Sequence, residues 1–283
     1  MGNKNVQRHF GDLAQRGVWA SLYSDSQVRL TAETWSFMVR ARYVMELLER
    51  HAGTGAVLDV GCGTAPIARA VTAMGRNYVG LDFSAEMVAG ARQAHADLGD
   101  RFQVAVGDVT SLDLGTRQFG AVVAMGVLEY LTPEQIHQAL GEIDRVLRAD
   151  GCVILTIPKR RSWPRFSYAA LSPVRAAVRW RPFRTSIKLE IKESFQRLYL
   201  TPAELDGYAG GAGLRRIDGR HYNAQLWARP WTVVAPRLCY LANRPLERVL
   251  PAPGLGVLGT GFIGVYRKGA AAAPPAAGRS DPR

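Results

Sequence analysis

The stretch Val57-Leu58-Asp59-Val60-Gly61-Cys62-Gly63-Thr64-Ala65 restricts the fold of this chain more than any other. An apolar run of strand length breaks into two glycines one residue apart. A second apolar run, Tyr78-Val-Gly-Leu-Asp82, then ends in an acid twenty-one positions after Gly61. That spacing predicts a strand, a glycine turn, a helix and a second, parallel strand. Glycines in the turn let backbone approach a bulky ligand with no Cβ in the way, and a carboxylate at the next strand's tip suits a ribose diol. A nucleotide-like ligand is implied.

Two ligand classes compete for such a turn. Dinucleotide folds use G-x-G-x-x-G, whose third glycine allows close helix–strand packing beneath a pyrophosphate. Here the third place holds Pro66, which a first helical turn tolerates, and Asp59 inside the first strand is foreign to that pattern. Asp59 with Gly61-Cys62-Gly63 resembles motif I of the class I S-adenosylmethionine-dependent methyltransferases. Asp82 resembles the acid of their motif II. The resemblance covers residues 55–160 well and 195–267 more loosely. It implies an α/β fold, a Rossmann-like, seven-stranded, mostly parallel sheet with helices on both faces.

The same resemblance implies S-adenosyl-L-methionine as the cofactor and assigns residues to it. Gly61 and Gly63 would flank the methionine moiety, with Asp59 orienting the loop or the ammonium group. Asp82 would take the ribose and Phe83 would pack on the adenine, which Met87 would face from the following helix. Asp108 and Val109 would meet the adenine amino group and a ring nitrogen. Met125 ends the fourth strand, where sulfonium and acceptor come together. Tyr23, in the Trp19–Tyr23 region, is similar to an N-terminal lid aromatic that closes over the cofactor. Taken singly, Asp82 and Asp108 read equally well as helix caps, and Met87 reads as core; their joint spacing favours a cofactor site.

The organisation follows from the same periodicities. Residues 1–52 read as an N-terminal helical cap or lid, two helices around a Ser-Asp-Ser turn at 24–26. Residues 53–267 form the core, with strands expected at 56–60, 77–82, 102–106, 119–124 and 151–157 and helices at 65–75, 85–98 and 133–148. Insertions fall at about 159–194, before the helix that starts at Thr201-Pro202, and at about 224–255. The second lies between a short strand at 214–218 and a last strand at 259–266, an antiparallel β6–β7 pair with an excursion for a loop. Residues 268–283, rich in Ala, Pro and Gly, read as a disordered tail.

Charge is concentrated. The chain carries a formal net charge of +12 in 283 residues. Between Lys159 and Arg197 eleven basic residues face two acids, a surplus of nine. On a helix beginning near Pro173, Arg175 and Arg179 would share one face and Val174, Ala177 and Val178 another. Such a segment suits a lid over the acceptor, an anionic membrane surface, or a nucleic acid. Three scattered cysteines indicate neither a disulfide framework nor a metal site. No run approaches the roughly eighteen apolar residues of a membrane span. A cytoplasmic protein, peripheral at the inner membrane face through 159–197, is the expectation.

The acceptor is less legible. Methyl transfer from a sulfonium needs a base only when the acceptor must lose a proton. Ala124-Met125-Gly126-Val127 lacks the Pro-Pro-aromatic turn of adenine-N6 enzymes, and no cysteine sits in the Pro-Cys context of cytosine-C5 enzymes. Gly126-Val-Leu-Glu129-Tyr130-Leu131 resembles the Val-Leu-Glu-His stretch of quinone-biosynthesis methyltransferases, with Tyr130 where histidine is common. Tyr130 and His221 are the candidate catalytic residues. A hydrophobic small-molecule or lipid-like acceptor is the favoured reading, ahead of RNA methylation through the 159–197 segment or a non-catalytic cofactor-binding scaffold.

Overall fold

A computed structural model of the chain describes residues 11–12, 32–170, 197–227, 235–252 and 254–269. Helix α1 (Ala32–His51) is the second of the two expected N-terminal helices. The Ser-Asp-Ser turn, Trp19, Tyr23, Arg175, Arg179 and the tail lie outside the described residues. Trp35, Val39, Tyr43, Val44, Leu47 and Leu48 recur on one face of α1 and are buried against the sheet face that carries Val57, Val123, Ile154 and Ile263. Burial of that stripe holds the helix, since packing rather than propensity supplies most helical stability.

The α/β core runs β1 (Ala56–Val60), α2 (Ala68–Ala73), β2 (Tyr78–Asp82), α3 (Ala85–Ala94), β3 (Phe102–Val106), β4 (Phe119–Ala124), α4 (Pro133–Val146) and β5 (Leu147–Pro158). It continues through α5 (Trp163–Ala170), α6 (Pro202–Gly211), β6 (Leu214–Ala224), α7 (Pro236–Asn243) and β7 (Gly259–Lys268). The seven strands form one sheet in the order β3-β2-β1-β4-β5-β7-β6. Strands β1 to β5 pair in parallel, while β7 runs antiparallel to both β5 and β6. Near-continuous burial of β1 and β4 is what a parallel strand covered on both faces requires. The order reverses between β1 and β4, so the crevice beyond their carboxyl ends is the expected ligand position.

Several boundaries differ from the sequence reading. Helix α2 begins at Ala68, not 65: Ala65 adopts φ +56°, and Pro66 sits in the turn before the helix. Helix α3 ends at Ala94 and a 3₁₀ segment, Ala96–Arg101, takes over, kinked at Gly99. Strand β5 starts at Leu147, and β6 extends to Ala224 because its second half continues to pair with β7. Thr132 and Thr201 close capping boxes with Gln135 and Glu204, each followed by proline at the first helical position.

The excursion between β6 and β7 is pinned from inside. Glu247, 2 % exposed, accepts hydrogen bonds from the Ala224 amide (2.5 Å) and the Tyr43 hydroxyl (3.3 Å). Asn243 accepts from the Leu226 amide at 3.1 Å. The described basic residues of the first insertion mostly pack on the protein. Lys159 donates to the Gly256 carbonyl, Arg160 pairs with Glu204 at 2.8 Å, and Arg165 stacks 3.7 Å from the Tyr199 ring centroid.

Candidate active site

At the carboxyl end of β1 the backbone turns sharply through Gly61 (φ +66°) and Gly63 (φ +54°), a left-handed region that suits glycine. A Cβ on Gly61 would lie 2.4 Å from Val127 Cγ2, so this turn has no room for a side chain. Asp82 holds the loop in place. Its Oδ2 accepts from the Gly63 amide at 2.8 Å and its Oδ1 from the Ser84 amide at 3.0 Å. Burial pushes the Asp82 carboxyl upward against the pull of those two donors. Each carboxylate oxygen still has a lone pair for a ligand hydroxyl. The acid therefore joins loop, second strand and cleft.

The cleft is open to solvent at its mouth, with a cavity volume of about 180 Å³. Gly61, Gly63, Asp82, Phe83, Met87, Asp108, Val109 and Met125 all line it. Ser84 caps α3 by accepting from the Met87 amide at 3.2 Å, and so sets Met87, 1 % exposed, beneath the cleft. Asp108 accepts from both the amide (2.9 Å) and the hydroxyl (2.8 Å) of Thr110, which fixes it at the exposed rim. The glycine cradle, a ribose-sized carboxylate contact at Asp82 and the apolar pair Phe83 and Met87 fit an adenosine carrying a short charged tail.

Asp59 lies elsewhere. It is 1 % exposed, takes a 2.8 Å hydrogen bond from the Tyr78 hydroxyl, and is not among the cleft-lining residues. Burial pushes the carboxyl up to about 7, with the Tyr78 hydrogen bond opposing. Because the folded value exceeds the unfolded one near 3.9, the stability this group contributes is complete below about pH 4 and is lost as pH rises through 7. Asp59→Asn should remove that loss. Relative to the parent, its urea-unfolding free energy should rise by roughly 2–4 kcal/mol between pH 5 and pH 8; parallel pH profiles would contradict this account of Asp59.

The two candidate catalytic residues separate. Tyr130 lines the cleft, where its hydroxyl accepts from Arg197 Nη2 and the guanidinium stacks 5.1 Å from its ring centroid. Burial drives the Tyr130 hydroxyl well above the usual phenol range, which keeps it protonated and so unavailable as a general base. His221 does not line the cleft. Its ring packs 5.1 Å from Phe262, and a Cβ on Gly256 would meet it at 2.3 Å. Burial first, then Lys159, lowers its pKa to about 4. Alternation along β6 sends the next residue, Tyr222, into the cleft in its stead.

Sequence reasoning missed several lining residues. Ser36, Phe37 and Arg40 come from α1. Arg40 lies over the end of β4, its Nη1 2.8 Å from where a Gly126 Cβ would be, so a cation stands at the cleft beside the fourth strand's end. One signal existed: Arg40 interrupts an otherwise apolar helical stripe. Glu129, 6 % exposed, and Arg197 also line the cleft. The buried acid stands inside the quoted Val-Leu-Glu-Tyr stretch, but nothing local in the sequence brings Arg197 to it.

Residues 57–151 match the family described as "Methyltransferase domain". Residues 57–151 are thus a methyltransferase domain of the class I S-adenosylmethionine-dependent kind. The chain is 28 % identical over 209 residues to a probable S-adenosylmethionine-dependent methyltransferase of Mycolicibacterium smegmatis, covering 73 % of this chain and 75 % of that one. It is 34 % identical over 110 residues to a malonyl-[acyl-carrier protein] O-methyltransferase of Pectobacterium atrosepticum, covering 39 % of this chain and 41 % of that relative. The chain thus spans about two fifths of that relative's length. Among solved structures, the magnesium protoporphyrin IX methyltransferase of Synechocystis with bound S-adenosylhomocysteine aligns at TM-score 0.64 and 14 % identity, over 94 % of this chain and 99 % of that one. The cofactor of this methyltransferase fold is S-adenosylmethionine.

Proposed function

We propose that the protein transfers a methyl group from S-adenosylmethionine to a hydrophobic small-molecule or lipid-like acceptor that enters between the two excursions. One observation carries this reading. Among the described residues, nine of the ten exposed large hydrophobics fall between Trp163 and Val257. Six of them flank, in sequence, three cleft-lining positions. Trp163 and Phe166 (67 % exposed) follow Pro158, Leu226 and Trp227 follow Asn223, and Leu255 and Val257 precede Thr260. Trp163 Nε1 donates to the Leu226 carbonyl at 3.0 Å and ties the first excursion to the second. An apolar surface of this kind marks an interaction site.

The basic surplus between Lys159 and Arg197 favours an anionic membrane as the surface on which such an acceptor is met. The named O-methyltransferase relative supports a non-nucleic-acid acceptor. The bound sulfonium supplies an activated methyl; the chain supplies position and exclusion of water. Incubation with tritiated S-adenosylmethionine should label an organic-soluble fraction of a cell extract in preference to RNA. The parent should float with anionic liposomes, and the Trp163→Ser/Phe166→Ser double variant should float at least fivefold less. Label found mainly in RNA, or flotation unaffected by the double variant, would overturn the proposal.

A further inference from the structure

Two buried side-chain atoms at the acceptor end of the cleft lack hydrogen-bond partners, and they are of opposite kind. Glu129 Oε2 is an acceptor with no donor, and Arg197 Nε is a donor with no acceptor. Both residues line the cleft. The fold brings their segments side by side, with the Leu198 amide donating to the Glu129 carbonyl at 2.9 Å, and the Glu129 charge acts on the Arg197 guanidinium. Tyr130, next in sequence to Glu129, fixes the guanidinium by stacking and by its hydroxyl. Buried unsatisfied polar atoms are rare in native proteins and point to something that completes them.

The pair selects the chemistry of its ligand. An ammonium has donors for Glu129 but no acceptor for Arg197, and a carboxylate has acceptors for Arg197 but no donor for Glu129. A hydroxyl satisfies both, its oxygen accepting from Arg197 Nε–H while its proton is donated to Glu129 Oε2. A phenol suits this pair better than an aliphatic alcohol, because a phenol loses its proton near pH 10 and so far more readily than an alcohol. We propose that the methyl acceptor presents a phenolic hydroxyl between Glu129 and Arg197, with Glu129 as the general base. The assignment rests on the methyltransferase reading above.

The step balances. Glu129 Oε2 receives the hydroxyl proton as an oxygen lone pair forms the O–CH₃ bond. The S–CH₃ bond breaks with its electron pair on sulfur, so the positive charge of the sulfonium and the negative charge of Glu129 disappear together. Arg197 stabilises the phenolate-like oxygen in transit, and Tyr130 is a positioning residue that holds Arg197.

The test uses the full chain and three matched probes, 4-hexylphenol, 4-hexylaniline and 4-hexylbenzoate, with calorimetry against S-adenosylhomocysteine as the first control. Loss of S-adenosylhomocysteine binding in the parent would sink the reading of the cleft itself. With that binding intact, the phenol should be methylated at least tenfold faster than the aniline or the benzoate. Glu129→Gln should lower phenol methylation by about 10²–10⁴-fold while S-adenosylhomocysteine affinity stays within twofold. With a nitro-substituted hexylphenol, already ionised at the assay pH, the loss in Glu129→Gln should shrink to less than tenfold, whereas Arg197→Met should impair both phenols. Equal losses on ionised and un-ionised phenols, preference for the aniline or benzoate, or no methylation of any phenol would overturn the assignment.

Discussion

Asp82→Ala is expected to lower affinity for S-adenosylmethionine by at least about tenfold, 1.4 kcal/mol or more, in a protein that remains folded. The expectation has two sources. The carboxylate faces the cleft, where it would take the ribose hydroxyls. It is also the group that receives the Gly63 and Ser84 amides, at 2.8 and 3.0 Å. Removing it leaves two buried N–H groups without partners, at roughly 1–3 kcal/mol each, so the glycine turn loses its fixed shape before any ligand arrives. Calorimetry on the variant distinguishes the contributions. Asp82→Asn keeps one acceptor oxygen and should fall between parent and alanine. An unchanged dissociation constant in a folded Asp82→Ala protein would remove the cofactor site from this cleft.

Gly61→Val should act on fold and function together. At φ +66° a β-branched residue is strained by about 1–2 kcal/mol. The Cβ also meets Val127 Cγ2 at 2.4 Å, and overpacking of that sort costs roughly 1–3 kcal/mol. Chemical unfolding should show a loss of roughly 2–5 kcal/mol, and the remaining folded protein should bind cofactor at least tenfold more weakly. Gly75→Ala is the matched control. It sits at φ +76° with nothing within 4 Å of the new Cβ, so it pays only for backbone conformation, about 1 kcal/mol. Equal effects at the two positions would show that the contact with Val127 does not matter.

The reach of the sequence differed along the chain for physical reasons. Where the signal was local, as in the apolar runs of β1 to β4 and the Thr-Pro helix starts, the elements fell close to where periodicity put them. Motif spacing likewise brought Gly61, Gly63, Asp82, Phe83, Met87, Asp108, Val109 and Met125 to one cleft. Asp59 shares the motif but sits inside β1, before the glycine turn, where it receives the Tyr78 hydroxyl instead of reaching the cleft. His221 fell on the wrong side of β6 because neighbouring side chains on a strand point to opposite faces. Its candidacy rested on sequence position past a strand predicted to end at 218, whereas β6 continues to Ala224. Arg40 and Arg197 reach the cleft from 86 residues upstream and 71 residues downstream of Gly126, respectively. Contacts of that range depend on tertiary packing: the break in the apolar stripe marks Arg40 without placing it, and nothing local marks Arg197.

The most direct measurement is a crystal structure of the full chain with S-adenosylhomocysteine. It should show the ribose diol on Asp82 at about 3 Å, the adenine between Phe83 and Val109 with Met87 beneath, and the sulfur turned toward Met125 and Gly126. A nucleoside bound away from Asp82, or a cleft that holds none while the protein binds the compound elsewhere, would contradict the account.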